Sequence, residues 1–199
     1  MLRAVLIATL LAASPPSAGS PAVPDLGATM LGLRLVPTRG GWARYRTESS
    51  EGPTTLVVRV GGREARQGRE GTWIAVEVDV PEAGRVVVEY LLAEGVLTPD
   101  HLLAMRASVA GQKPQERPLP ARKAPPDAGA LAQPRGTTRE RIGAKVIDVM
   151  RYSFAQGPGA GWSSAVPGFG LVRIEGPSGL VLEDFGVGGD PWRPGGARR

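Results

Sequence analysis

Between Trp42 and Phe185 the chain is a succession of short runs in which apolar and polar side chains alternate, each closed by glycine or proline. A period of two sends successive side chains to opposite faces, which suits a strand and not a helix. The run Trp73 to Val80 shows it best. Ile74, Val76, Val78 and Val80 share one face, while Ala75, Glu77 and Asp79 share the other, as in a central, half-buried strand. Thr54 to Val60 repeats the pattern with Leu56, Val58 and Val60 inward. Arg85 to Ala93 is apolar on both faces, which suits a strand covered on both sides or lining a cavity. Trp42 to Glu48 is mixed and reads as an edge or partly exposed strand.

The C-terminal third continues in the same way. Val146, Met150, Tyr152 and Phe154 alternate with Ile147, Val149, Arg151 and Ser153. Phe169 to Glu175 and Leu180 to Phe185 are joined through Gly176-Pro177-Ser178-Gly179, a turn-forming connection that predicts a hairpin. Thr98 to Val109 fits two descriptions: a helix capped by Asp100, or a strand with Leu103, Met105, Ala107 and Val109 on one face. Its neighbours are all short and alternating, so consistency favours the strand. Val23 to Pro37, with Asp25 as N-cap, predicts a short helix packed on the sheet. The expected fold is mainly β: one curved antiparallel sheet of about eight to ten strands, a half-barrel or open barrel with one short N-terminal helix.

At 199 residues the chain reads as one domain. Met1-Leu2-Arg3, the apolar run Ala4 to Ala13, and the small residues and prolines that follow have the order of a secretory signal peptide ending after Gly19 or Ala22. Residues 1–22 are therefore expected to be removed, leaving a periplasmic or secreted protein with no transmembrane segment. Residues 23–185 form the expected domain. Proline-rich residues 113–136 lack periodicity and read as a disordered insertion or a functional flap. Residues 186–199 read as a disordered tail.

Composition narrows the chemistry. There is no cysteine and a single histidine, His101, so thiol nucleophiles, thiolate metal sites and disulfides are excluded, and no cofactor is expected. Glu77 and Asp79 share a strand face at a spacing of about 7 Å, within reach of paired-carboxylate chemistry, but any amphipathic strand places charges so. We therefore expect no enzymatic activity.

The formal charge of +5 resides between Lys113 and Lys145, where eight basic residues face three acidic ones. Lys113, Arg117, Arg122, Lys123, Arg135, Arg139 and Arg141 make a candidate contact patch for an acidic envelope component, or a solvated basic loop. Nucleic acid is a poor partner, since the segment has no aromatic residue to stack on a base.

The segment GWSSAVPGFGLVRIEG, from Gly161 to Gly176, sets Trp162, Val166, Pro167, Phe169 and Leu171 beside a Pro-Gly turn. Such a loop caps one end of a curved sheet, either plugging the core or framing a ligand mouth. Trp73, Tyr90, Tyr152, Phe154, Trp162 and Phe169 are the candidate lining of a site for a lipid or another apolar ligand. Trp162-Ser163-Ser164, Val166-Pro167, Gly170-Leu171-Val172-Arg173, Glu175 and Asp184-Phe185-Gly186 together resemble the C-terminal block of uncharacterised secreted or periplasmic β-rich bacterial proteins. Those are similar in architecture to the LolA/LolB-type lipoprotein carriers. The resemblance implies a half-barrel whose curved antiparallel sheet cups acyl chains.

Overall fold

The computed structural model describes residues 32–49, 52–80, 84–109, 111–119, 132–154, 159–176 and 179–192. Eleven strands form one antiparallel sheet. They are β1 (Gly41–Ser49), β2 (Gly52–Arg66), β3 (Arg69–Val80), β4 (Gly84–Ala93), β5 (Leu102–Val109), β6 (Gln115–Arg117), β7 (Gln133–Ile142), β8 (Lys145–Ser153), β9 (Ala160–Trp162), β10 (Leu171–Ile174) and β11 (Leu180–Val187). Their order across the sheet is β6-β5-β4-β3-β2-β1-β11-β10-β9-β8-β7. Every neighbour except β1 beside β11 is also a neighbour in sequence, so the chain makes two meanders whose ends zip together. The sheet is curved and stays open, with β6 and β7 at its edges.

Bulges supply curvature, because an extra residue on one strand bends it and sharpens its twist. The ladder slips between Arg44 and Tyr45, between Val60 and Arg63, between Leu91 and Leu92, and between Leu171 and Arg173. Register then fixes which side chains face inward. Leu56, Val78, Val86 and Val109 form one row across β2 to β5, Val58, Val76, Val88 and Ala107 the next, and Val60, Ile74, Tyr90 and Met105 the third. This inner face meets Ala43, Tyr45, Leu180, Leu182 and Phe185 of β1 and β11 in one buried core.

The outer face of β2 to β5 is laced with charge. Arg59 pairs with Glu77 at 2.6 Å, Arg85 with Asp79 at 3.0 Å, and Arg106 with Glu89 through two hydrogen bonds. The β7–β8 hairpin reaches back over its neighbours: Arg173 pairs with Glu140, and Lys145 Nζ donates to the Phe185 carbonyl.

Three expectations need correction. The N-terminal helix does not form over its described part. Leu33 and Leu35 are buried and Arg34 and Val36 make isolated bridges to Val96 and Gly168, because this segment alternates and both glycine and proline interrupt it. Residues 23–31 of that expectation, and the signal region 1–22, lie outside the described residues. Of the 113–136 segment, the described part supplies β6 and the start of β7, whose backbone groups gain ladder partners at the sheet's two ends, and residues 120–131 lie outside the described residues. The tail from Gly186 to Trp192 is not disordered, since its backbone and aromatic groups find partners on the outer face, and residues 193–199 lie outside the described residues.

Those partners come from four strands in succession. Trp42 Nε1 donates to the Gly188 carbonyl at 2.7 Å and Arg44 to the Pro191 carbonyl at 3.1 Å. Asp190 faces Arg59 at 3.8 Å, and Trp192 Nε1 donates to Glu77 Oε2 at 2.6 Å, with the Arg85 guanidinium 4.2 Å above the indole. Residues 188–192 thus form a strap across β1 to β4, with Pro191 fully buried.

Candidate functional site

The candidate site is the inner face of β2 to β5 together with the segments that roof it. Alternation makes the face apolar: no inner position from Leu56 through Val109 in the three rows above carries a charge. Val58, Val60, Ile74, Val86 and Val88 are buried, whereas Val76, Val78, Tyr90 and Leu102 are only partly so and pack against the core's margin. Tyr152, Phe154 and Ala132, from the other end of the sheet, pack against the same core.

Two segments roof the face. The first, Leu33 to Val36, is held by Leu97 N–H on the Leu33 carbonyl and Leu35 N–H on the Gly95 carbonyl. The second is the connection 163–170 between β9 and β10. Gly168 exchanges both backbone hydrogen bonds with Val36 and lies against Val58. Val166 and Phe169 are buried, and Trp162 Nε1 donates to the Arg34 carbonyl at 2.9 Å. Inside the 163–170 loop, Ser163 N–H bonds the Gly170 carbonyl and Ser163 Oγ accepts from Ala165 N–H.

Two polar groups are sunk into this apolar interior. Tyr45 is fully buried and donates to the Leu171 carbonyl at 3.0 Å; burial pushes its phenol well above the ordinary range, so it stays a neutral donor. Thr72, level with Leu92 and Leu102, is 2% exposed, and its Oγ1 has no partner among the described residues.

Of the six aromatic residues expected to line a site, the structure brings Tyr90, Tyr152, Phe154, Trp162 and Phe169 to one core. Trp73 is not among them. It precedes Ile74 by one residue, so the pleat sends it outward, where its indole lies under the Arg106 guanidinium at 4.1 Å and donates to Glu64 Oε2 at 2.9 Å. That donor, with Arg66 beside it, holds the Glu64 carboxyl below its ordinary value.

The basic residues are dispersed. Lys113 and Arg117 sit at the β6 edge, Arg135, Arg139 and Arg141 on β7 at the opposite edge, and Arg122 and Lys123 lie outside the described residues. The carboxylates Glu77 and Asp79 occur together on the outer face, but each is engaged by arginine, and Glu77 also accepts from Trp192.

Sequence reasoning missed two parts of this arrangement. The alternation of Leu33 and Leu35 announces an extended segment, and the isolated Trp192 in a glycine-rich tail is a signal for docking. Among the described residues no helix is long and apolar enough to cross a membrane. No protein-family model matches the chain, and no curated protein matches it in sequence. What is established is the class: a mainly β protein built on one curved, open antiparallel sheet.

Proposed function

We propose that this protein is a non-enzymatic exported binding module that holds an apolar or lipid-like ligand against the concave face of its sheet. The observation that carries this reading is the uncharged inner face, whose margin leaves Val76, Val78, Tyr90 and Leu102 partly open to water. Apolar surface left wet is a standing source of binding free energy, about 0.8 kcal/mol for each methylene that a ligand buries there. An acyl chain of about ten methylenes gives about 8 kcal/mol before the costs of association, enough for reversible binding. Roofing loops anchored by Trp162 and Phe169 suit such a site, as do the architecture of the LolA/LolB-type carriers and the signal-like N-terminus. The engagement of Glu77 and Asp79 in outer-face ion pairs favours holding over catalysis.

The test is titration of the purified protein with N-phenyl-1-naphthylamine, which fluoresces on entering an apolar site. Saturable enhancement is expected. Val78→Asp should abolish it, and Val181→Asp, on a 49% exposed valine of β11, should leave it intact. No enhancement, or equal enhancement in a folded Val78→Asp protein, would overturn the proposal.

A further inference from the structure

Among the described residues both edges of the open sheet present backbone groups with no strand partner, and the two are built differently. β6 is three residues long and lies between Pro114 and Pro118, so few donors are left for another strand. β7 has ten residues and no hydrogen-bonded strand on its outer side among the described residues, although its Ile142 end is buried and approaches β11. Its proline and its ladder irregularity, between Pro134 and Gly136, are confined to one end. From Thr137 to Arg141 the register with β8 is unbroken, so alternate N–H and C=O groups over these five positions point away from the sheet, while Ile142 beyond them is buried.

The charge along this edge has one sign. Glu140, its only acid, is taken up by Arg173. Arg135, Arg139 and Arg141 are exposed. Arg139 meets Asp148 at 3.3 Å, but with side-chain exposures of 81% and 70% the pair is of the weak, solvent-screened kind. Arg141 stands opposite Val146, which is 56% exposed. An incoming strand therefore meets outward backbone groups flanked by arginine and by one bare valine.

We propose that the outer edge of β7 is a docking site for an extended, acidic segment of a partner protein, which adds to the sheet as a further strand. Strand addition takes its affinity from the backbone ladder and its selectivity from side chains at alternate positions, and carboxylates at those positions would face Arg139 and Arg141. A second copy is a worse occupant. An antiparallel pairing of two β7 strands centred on Glu140 sets Arg139 of one copy against Arg141 of the other, and like charges directly opposite are destabilising. The chain's own 120–131 segment is also unsuited, since it carries Arg122 and Lys123 and three prolines that lack N–H.

The experiment uses the purified full chain and three end-blocked, fluorescein-labelled octapeptides: alternating Glu-Thr, alternating Lys-Thr, and the Glu-Thr peptide N-methylated at every residue. Fluorescence anisotropy should show saturable binding of the first only, weakened in 0.5 M salt, and weakened at least fivefold by Arg139→Glu/Arg141→Glu in a protein whose far-UV spectrum is unchanged. Equal binding of the N-methylated peptide would overturn strand addition without any change to the protein. Failure of the Glu-Thr peptide to bind, indifference to the double substitution, or dimerisation of the protein through this edge in sedimentation would overturn the proposal as well.

Discussion

Gly170 holds the roof in place, and adding one methyl group there tests that directly. Its φ is +68°, a conformation that costs an L-residue about 1–2 kcal/mol. A Cβ at this position would collide with the Trp162 indole, falling 2.7 Å from Cδ1 and closer still to Nε1. The indole would have to leave its place, and with it the hydrogen bond to the Arg34 carbonyl, for a further loss of about 1 kcal/mol or more. Gly170→Ala is therefore expected to cost about 2–4 kcal/mol in all. Gly40 makes the matched control: its φ is +70° and nothing lies within 4 Å of a Cβ placed on it. Gly40→Ala should cost the conformational strain alone, about 1–2 kcal/mol. For a domain of this size each kcal/mol lowers Tm by about 2–4 °C, so calorimetry should place Gly170→Ala several degrees below Gly40→Ala. Near-ultraviolet circular dichroism should show the change in Trp162 only in the former. Equal melting temperatures with an unaltered aromatic spectrum would refute the seating of Trp162 against Gly170, and with it the latch between the two roofing segments.

Three further outcomes are expected. Thr72→Val replaces a buried hydroxyl that lacks a partner with a methyl group of similar shape, and should raise stability by about 1 kcal/mol in chemical denaturation; a loss of that size would mean that the hydroxyl is bonded in solution. Trp192→Ala removes a hydrogen bond to buried Glu77 and the Arg85 stack. It should cost about 1–3 kcal/mol and open residues 188–192 to limited proteolysis, whereas a tail equally resistant in both proteins would mean that the strap is held without its tryptophan. The His101 imidazole is held below its ordinary value of 6.5, chiefly by burial and next by Arg69, with Asp100 and the Glu94 backbone opposing. A depressed histidine pKa means that the unfolded chain takes up its proton first, so stability is full above pH 6.5 and falls as the pH drops below it. His101→Gln should flatten that decline in urea titrations at pH 7 and pH 5, and an unchanged slope would assign it elsewhere.

Much of this fold is written in the alternation of single residues. Ile74, Val76 and Val78 point inward in the structure as their spacing requires, and Leu103 to Val109 is a strand for the reason its neighbours suggested. β10 and β11, on either side of residues 176–179, pair in antiparallel register as the turn-rich sequence between them suggested. What could not be read belongs to partners distant in sequence. β7 is polar on nearly every residue and contains Pro134 and Gly136, so only its pairing with β8 makes it a strand. The 188–192 strap depends on groups from four separate strands, which no local pattern reveals. Trp73 shows the limit for the candidate site: its aromatic character suggested a lining residue, but its place in the pleat puts it with Glu64 and Arg106 on the other face. In the β8 strand the buried side chains are Ile147 and Val149, while Val146 is exposed, because the hairpin folds back toward β10 through Glu140 and toward β11 through Lys145 and covers the face that alternation alone left undecided.

Native mass spectrometry of the protein purified without detergent is the sharpest check on whether the concave face takes up an apolar guest, as proposed above. A non-covalent adduct is expected that dissociates on collisional activation, partitions into organic solvent, and is missing from Val78→Asp. A single unadducted mass, from protein that also fails to enhance N-phenyl-1-naphthylamine fluorescence, would contradict it.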